Sequence, residues 1–135
     1  MGEVNVQWIG GERFAGFDST RHSVVMSSAR EGVGMKPSDM LLVALGACSA
    51  VDVVNILRKK RLDLRRLDIK VSGEQEADPP WTFRKINVEY TLAGKGLTDT
   101  AVEQAIALSE EKYCSVAATV RGMAVITHSY CIEEE

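Results

Sequence analysis

The sequence predicts an α+β fold in the element order βββ-α-ββ-α-β, and three features carry that expectation. Short stretches alternate apolar and polar residues with period two. One long apolar stretch opens with helix-start signals. The helices are set between hairpins and do not alternate singly with strands. Residues 3–9 begin the pattern: Val4, Val6 and Trp8 point one way, and Glu3, Asn5 and Gln7 the other, as in a half-buried strand. Gly10-Gly11 signals a turn. Residues 13–17 and 22–27 read as two further strands of an antiparallel meander, and the Gly-rich stretch 29–35 connects them to a helix.

That helix starts at Pro37-Ser38-Asp39, where a proline lacking its N–H is harmless and Ser and Asp suit the positive end. It continues to about Lys60, roughly 36 Å at the helical rise. Its middle is apolar on nearly every face, which predicts a course through the core or between two subunits. Gly46, Ser49, Asp52 and Asn55 interrupt the run, which argues for a buried helix and against a membrane span. Arg58-Lys59-Lys60-Arg61, followed by Arg65-Arg66, falls where cations suit a helix C-terminus.

Beyond it, Leu67, Ile69 and Val71 oppose Asp68, Lys70 and Ser72, and Ile86, Val88, Tyr90 and Leu92 oppose Lys85, Asn87, Glu89 and Thr91. Ala77-Asp78-Pro79-Pro80 turns one strand into the other, making a hairpin. Thr100 and Glu103 match a capping box, with Thr98 as the rival cap, for a second helix reaching about Lys112. Val102, Ala105, Ile106 and Ser109 form its inner stripe. A last strand covers residues 123–132, before an acidic tail expected to fray. With no repeat, linker or low-complexity segment, residues 1–135 read as one domain.

Composition narrows the function classes. The chain is 45% hydrophobic and 26% charged with a net charge of −3, so it carries no electrostatic footprint for nucleic acid or for an anionic membrane. The N-terminal MGEVNVQWIGGERF has neither the basic region nor the apolar region of a secretory signal, which points to a cytoplasmic, reducing setting. Three cysteines there are expected to be free, catalytic or redox-active and not bridged.

On the residues alone, Cys48, inside LLVALGACSAVDVV, is either a small core residue or a functional sulfur. Its own helix offers no cation to lower the thiol pKa. Cys114 falls at a junction after Ser109-Glu110-Glu111-Lys112-Tyr113 and could open a further helical turn. Cys131 and His128 point to opposite faces of a strand, so HSYC is not a metal pair, and no CxxC or HxxxH spacing occurs. His22 and His128 read as ordinary strand residues. The chain has no GxSxG, P-loop or dinucleotide fingerprint, and neither metal nor cofactor is expected. Arginines stand near the loops at 13, 21 and 30.

KPSDMLLVALGACSAVDVV (36–54) and SEEKYCSVAATV (109–120), in that order, resemble the motifs of the OsmC/Ohr family of osmotically inducible and organic hydroperoxide resistance proteins. The ALGAC and DVV wording is nearest the YhfA-like branch. The resemblance implies an intertwined homodimer with two sites at the subunit interface. It implies that Cys48 attacks an organic hydroperoxide and that Cys114 resolves the sulfenic acid as a disulfide. A dithiol reductant, such as a lipoyl protein, then restores the thiols. It assigns activation of the thiolate and binding of the peroxide to Arg13, in Gly10-Gly11-Glu12-Arg13, with Arg21 in reserve. Asp39 and Leu45 fall on the substrate side. One departure stands out: the peroxidases place a carboxylate directly after the helix-start proline. Here that residue is Ser38, and the acid, Asp39, comes about 100° further round the helix. Two other functions fit the same residues: a non-catalytic dimeric module binding a small apolar ligand, which Ser38 favours, and a general thiol–disulfide redox protein.

Overall fold

Three short strands open the fold in the computed structural model, which describes residues 2–134. β1 (Asn5–Trp8), β2 (Arg13–Phe17) and β3 (Ser23–Ser27) pair in chain order as an antiparallel meander. Gly10 and Gly11 turn β1 into β2 with φ of +105° and +55°, a region that favours glycine. A side chain at Gly11 would also run into Glu31. The meander belongs to the first of two compact units, which ends at Leu41. The alternation at 3–9 correctly announces a strand, but not its burial. All four residues of β1 are exposed, with Trp8 70% accessible. A sheet of three short strands has too little surface of its own to cover an apolar face.

The second unit begins at Leu42. Helix α1 (Pro37–Lys59) starts in the first unit and continues into the second. It is followed by β4 (Asp63–Gln75), β5 (Phe83–Lys95), α2 (Asp99–Leu108), a π turn (Ser109–Tyr113), α3 (Ser115–Val120) and β6 (Val125–Glu133). β4 and β5 form the expected hairpin, at thirteen residues each longer than the alternation suggests. β6 then pairs with β5 in parallel, giving the order β4-β5-β6. The strand–helix–strand alternation that the sequence reading excluded is therefore present once. A parallel neighbour needs a long crossover, and α2 through α3 supply it. The α+β class holds, with two separate three-stranded sheets.

The core lies between the β4-β5-β6 sheet and the helices. Leu45, Val53 and Leu57 of α1, Ile86, Val88, Tyr90 and Leu92 of β5, and Val102, Ala105 and Ile106 of α2 are buried together. Gly46 lets α1 lie close to the sheet, since a Cβ there would stand 3.0 Å from Val71 Cγ2. Val43 and Val51, on another face of α1, remain exposed. Thr98, and not Thr100, caps α2: its hydroxyl accepts from the Ala101 N–H at 3.1 Å. The α-helical part of the expected stretch to Lys112 stops at Leu108. The chain then widens into the π turn, which closes with Cys114 N–H donating to Ser109 O at 2.7 Å.

Candidate active site

Three elements of the second unit bring chemical groups together. α1 contributes Cys48, Ser49 and Asp52, the π turn and its exit contribute Ser109, Glu110 and Cys114, and the sheet contributes Tyr90 and His128. The helical spacing accounts for the α1 set. Cys48 and Asp52 are one turn apart, and Ser49 lies on the buried stripe with Leu45, Gly46 and Val53.

Cys48 is half-buried and packed against the core, and Cys114 is 2% exposed. The two thiols are neighbours. Burial first, then a hydrogen bond to Cys48 and the Cys48 charge, push the Cys114 thiol up to about 11. One influence runs the other way. Cys114 is the N-cap of α3, the short helical turn its position suggested, and its sulfur accepts from Ala117 N–H at 3.4 Å. Desolvation outweighs it, so the Cys114 sulfur keeps its proton at neutral pH.

A chain of hydroxyls runs behind the thiols. Tyr90 OH lies 2.6 Å from Ser49 Oγ, Ser49 Oγ 3.0 Å from Ser109 Oγ, and Ser109 Oγ 2.9 Å from Asp52 Oδ2. Burial, opposed by the Ser49 hydrogen bond, pushes the Tyr90 phenol up to about 12, and the negative charges of Glu110, Cys114 and Asp52 add to the rise. Glu110 is mostly buried. Its Oε2 is 2.9 Å from His128 Nδ1, while its Oε1 has no hydrogen-bond partner. Arg121 donates to the Glu110 carbonyl.

The sequence-predicted site residues divide. Cys48 and Cys114 meet. Leu45 is 2% exposed and packs in the hydrophobic core. Asp39 pairs with Lys36 at 3.7 Å, within the first turn of α1. Arg13 pairs with Glu31 at 3.7 Å, and Arg21 occupies a loop with φ of +68°. Cys131 is exposed on β6, away from the face His128 shares with Ile126. His128 is not the ordinary strand residue it was taken for, because it holds Glu110. Among the described residues no group of three His, Cys, Asp or Glu is placed to hold a metal ion. Sequence reasoning missed Ser49, Tyr90, Asp52, Ser109, Glu110 and His128 as a set. The signal was there in part: a serine and an aspartate on an apolar helix need buried partners.

A family model described as OsmC-like protein matches residues 29–129. Protein YhfA of Escherichia coli K12 is 38% identical over 128 residues, covering 95% of this chain and 96% of that protein. The crystal structure of a hypothetical protein from Aquifex aeolicus VF5 superposes with a TM-score of 0.91 at 32% identity, covering 100% of this chain and 98% of that one. The organic hydroperoxide resistance protein OhrB of Bacillus subtilis superposes with a TM-score of 0.64 at 14% identity, covering 97% and 98%, a likeness of fold alone.

Proposed function

We propose, from the premise that this chain belongs to the OsmC-like family, that it is a thiol-dependent peroxidase that reduces organic hydroperoxides through Cys48 and Cys114. The observation that carries the reading is the adjacency of the two thiols, one half-buried and one buried, in an apolar pocket wall. Cys48, the more accessible, attacks the terminal peroxide oxygen. The alkoxide leaves, and the sulfenic acid on Cys48 condenses with Cys114 to a disulfide and water. A dithiol, such as a lipoyl protein, reduces the disulfide by exchange. Arg13 is the cation assigned to activate Cys48 and hold the peroxide, with Asp39 and Leu45 on the substrate side.

In this reading one domain spans residues 1–135 and works in the cytoplasm as a homodimer. α1 is long and apolar enough, by length and composition alone, to cross a membrane. Its buried Ser49 and its bonded Asp52 favour a packed helix, and the exposed Val43 and Val51 supply an apolar surface for a second copy. A binding module without turnover is the second reading, favoured by Ser38 and by the pairing of Asp39 with Lys36 and of Arg13 with Glu31.

Intact mass before and after one equivalent of cumene hydroperoxide separates the two. The peroxidase loses two hydrogens, and the loss depends on both cysteines. Cys48→Ser is expected to abolish turnover, and Cys114→Ser to leave a dimedone-reactive sulfenic acid. A protein that consumes no peroxide with any dithiol, its cysteines unchanged, is not a peroxidase.

A further inference from the structure

Closing a disulfide between Cys48 and Cys114 requires Cys114 to give up a proton that its surroundings hold. The residue is 2% exposed, so bulk water has no direct path to the sulfur, and the thiol keeps its proton up to about 11. A hydrogen-bonded route begins nearby. The Tyr90 hydroxyl is close enough to feel the charge of Cys114, and from it run Ser49, Ser109 and Asp52 at 2.6, 3.0 and 2.9 Å.

The direction of the chain follows from what each group can do. An ionised carboxylate only accepts, and a serine has a single proton. When Ser109 donates to Asp52, Ser49 is left to donate to Ser109, and Tyr90 to Ser49. Every proton then points away from the thiols, and the lone pairs of the Tyr90 oxygen are free to accept. Asp52 is the wet end. With Asn55, Ile56, Lys59, Lys60, Leu108 and Tyr113 it lines a groove of about 390 Å³.

We propose that Tyr90, Ser49, Ser109 and Asp52 form a proton relay that carries the Cys114 proton to solvent as the disulfide closes, an inference that rests on the Cys48–Cys114 redox pair proposed above. The Cys114 S–H bond breaks as its sulfur attacks the Cys48 sulfur. The S–S bond forms, and the group on Cys48 departs with its electron pair. The thiol proton passes to the Tyr90 oxygen, the Tyr90 proton to Ser49, the Ser49 proton to Ser109 and the Ser109 proton to Asp52. Asp52 then releases it to the groove. When the leaving group is the hydroxide of a sulfenic acid, a solvent proton completes the water. Tyr90 is a conduit and not a base, since burial keeps its own proton on. The other charged groups facing the route are Glu110, held by His128 and with Arg121 on its carbonyl, and Lys59 and Lys60 beside Asp52.

The test needs no peroxide. In a Cys131→Ser background, which removes the exposed thiol, dithiobis(nitrobenzoate) is attacked by Cys48 and releases one thionitrobenzoate. Cys114 then closes the disulfide and releases the second. Asp52→Asn and Ser109→Ala are expected to slow the second release about 100-fold near neutral pH, at the low end of what proton transfer contributes. The first release should stay unchanged, and Asp52→Glu should restore the second. A second release with wild-type rate and pH profile in both variants would overturn the relay. So would an acceleration in Asp52→Asn, which would make Asp52 a mere opposing charge. A protein that passes this test yet consumes no hydroperoxide refutes the peroxidase reading alone.

Discussion

The two units of the chain each contain a three-stranded sheet and each bury serines, yet they use them differently. In the first unit Ser27 is fully buried. Its hydroxyl accepts from Val33 and Gly34 N–H at 3.2 and 3.1 Å and donates to Ser28 O at 2.9 Å, all within seven residues. In the second, Ser49 and Ser109 bond across 60 residues and reach Tyr90 and Asp52. The first arrangement fixes a loop by satisfying backbone groups locally, as serines commonly do. The second cannot exist until a core has formed around it. Every buried apolar residue among the described residues lies in the second unit, whereas Val4, Val6, Trp8, Val25 and Val33 of the first are exposed. Chemistry that depends on desolvation therefore belongs to the second unit, and the first offers ion pairs and an uncovered apolar surface.

The largest expected difference tests that division directly. Leu57 is fully buried in the core, so Leu57→Ala should cost about 2–5 kcal/mol in urea unfolding. Val6 is 60% exposed, and Val6→Ala should stay within about 0.5 kcal/mol at low protein concentration. A Val6→Ala cost that rises with protein concentration would show that a second copy covers the meander. An equally large cost for both variants at every dilution would remove the contrast between the units.

Alkaline pH sharpens the same comparison. The folded Cys114 thiol holds its proton beyond the ordinary thiol value, because of burial and of Cys48. The folded state is therefore favoured below that ordinary value and loses the advantage as pH rises towards about 11. Unfolding free energy should decline there with a slope of one proton, and Cys114→Ala should flatten that decline. An unchanged slope in Cys114→Ala would mean that the sulfur is solvated in the folded protein. Thr98→Ala comes next, at about 1 kcal/mol, because the Ala101 N–H loses its cap.

What could be read in advance was what local chemistry decides. Period-two alternation marked all six strands, and Pro37-Ser38-Asp39 fixed the start of α1. The two cysteines were marked by motif. Thr98 and Thr100 could not be told apart, because the capping box scores spacing while the cap depends on φ and ψ: Thr98 has the extended backbone (−112°, 156°) that a cap needs. The parallel pairing of β6 was hidden for another reason. Its alternation sets which side chains share a face, but not which neighbour it pairs with or in which direction. Ser109 was placed correctly on the inner stripe of a helix and still misjudged, since its partners Ser49 and Asp52 lie nearly half the chain away. The exposure of β1 was illegible because alternation reports a surface able to be buried, not one that is.

The smallest effect belongs to the first unit, and it bears on what the surface pairs there contribute. Arg30 donates to both carboxylate oxygens of Glu12, at 3.0 and 2.9 Å, and Ser28 donates to Oε1 at 3.1 Å. The Arg30 hydrogen bond first, then Ser28, hold the Glu12 carboxyl below its ordinary value. The sign is opposite to that of Cys114: a depressed acid favours the folded state above its ordinary value, and the gain disappears as pH falls through the lowered one. Solvent screens the exposed pair, so Arg30→Ala should leave unfolding almost unmoved, as surface pairs commonly do. The carboxyl resonance of Glu12 should nonetheless titrate higher in that variant, closer to an ordinary glutamate. If its midpoint does not move, the bidentate contact is not populated in solution, and Glu12 is free to meet another cation beside Arg13 in the same loop.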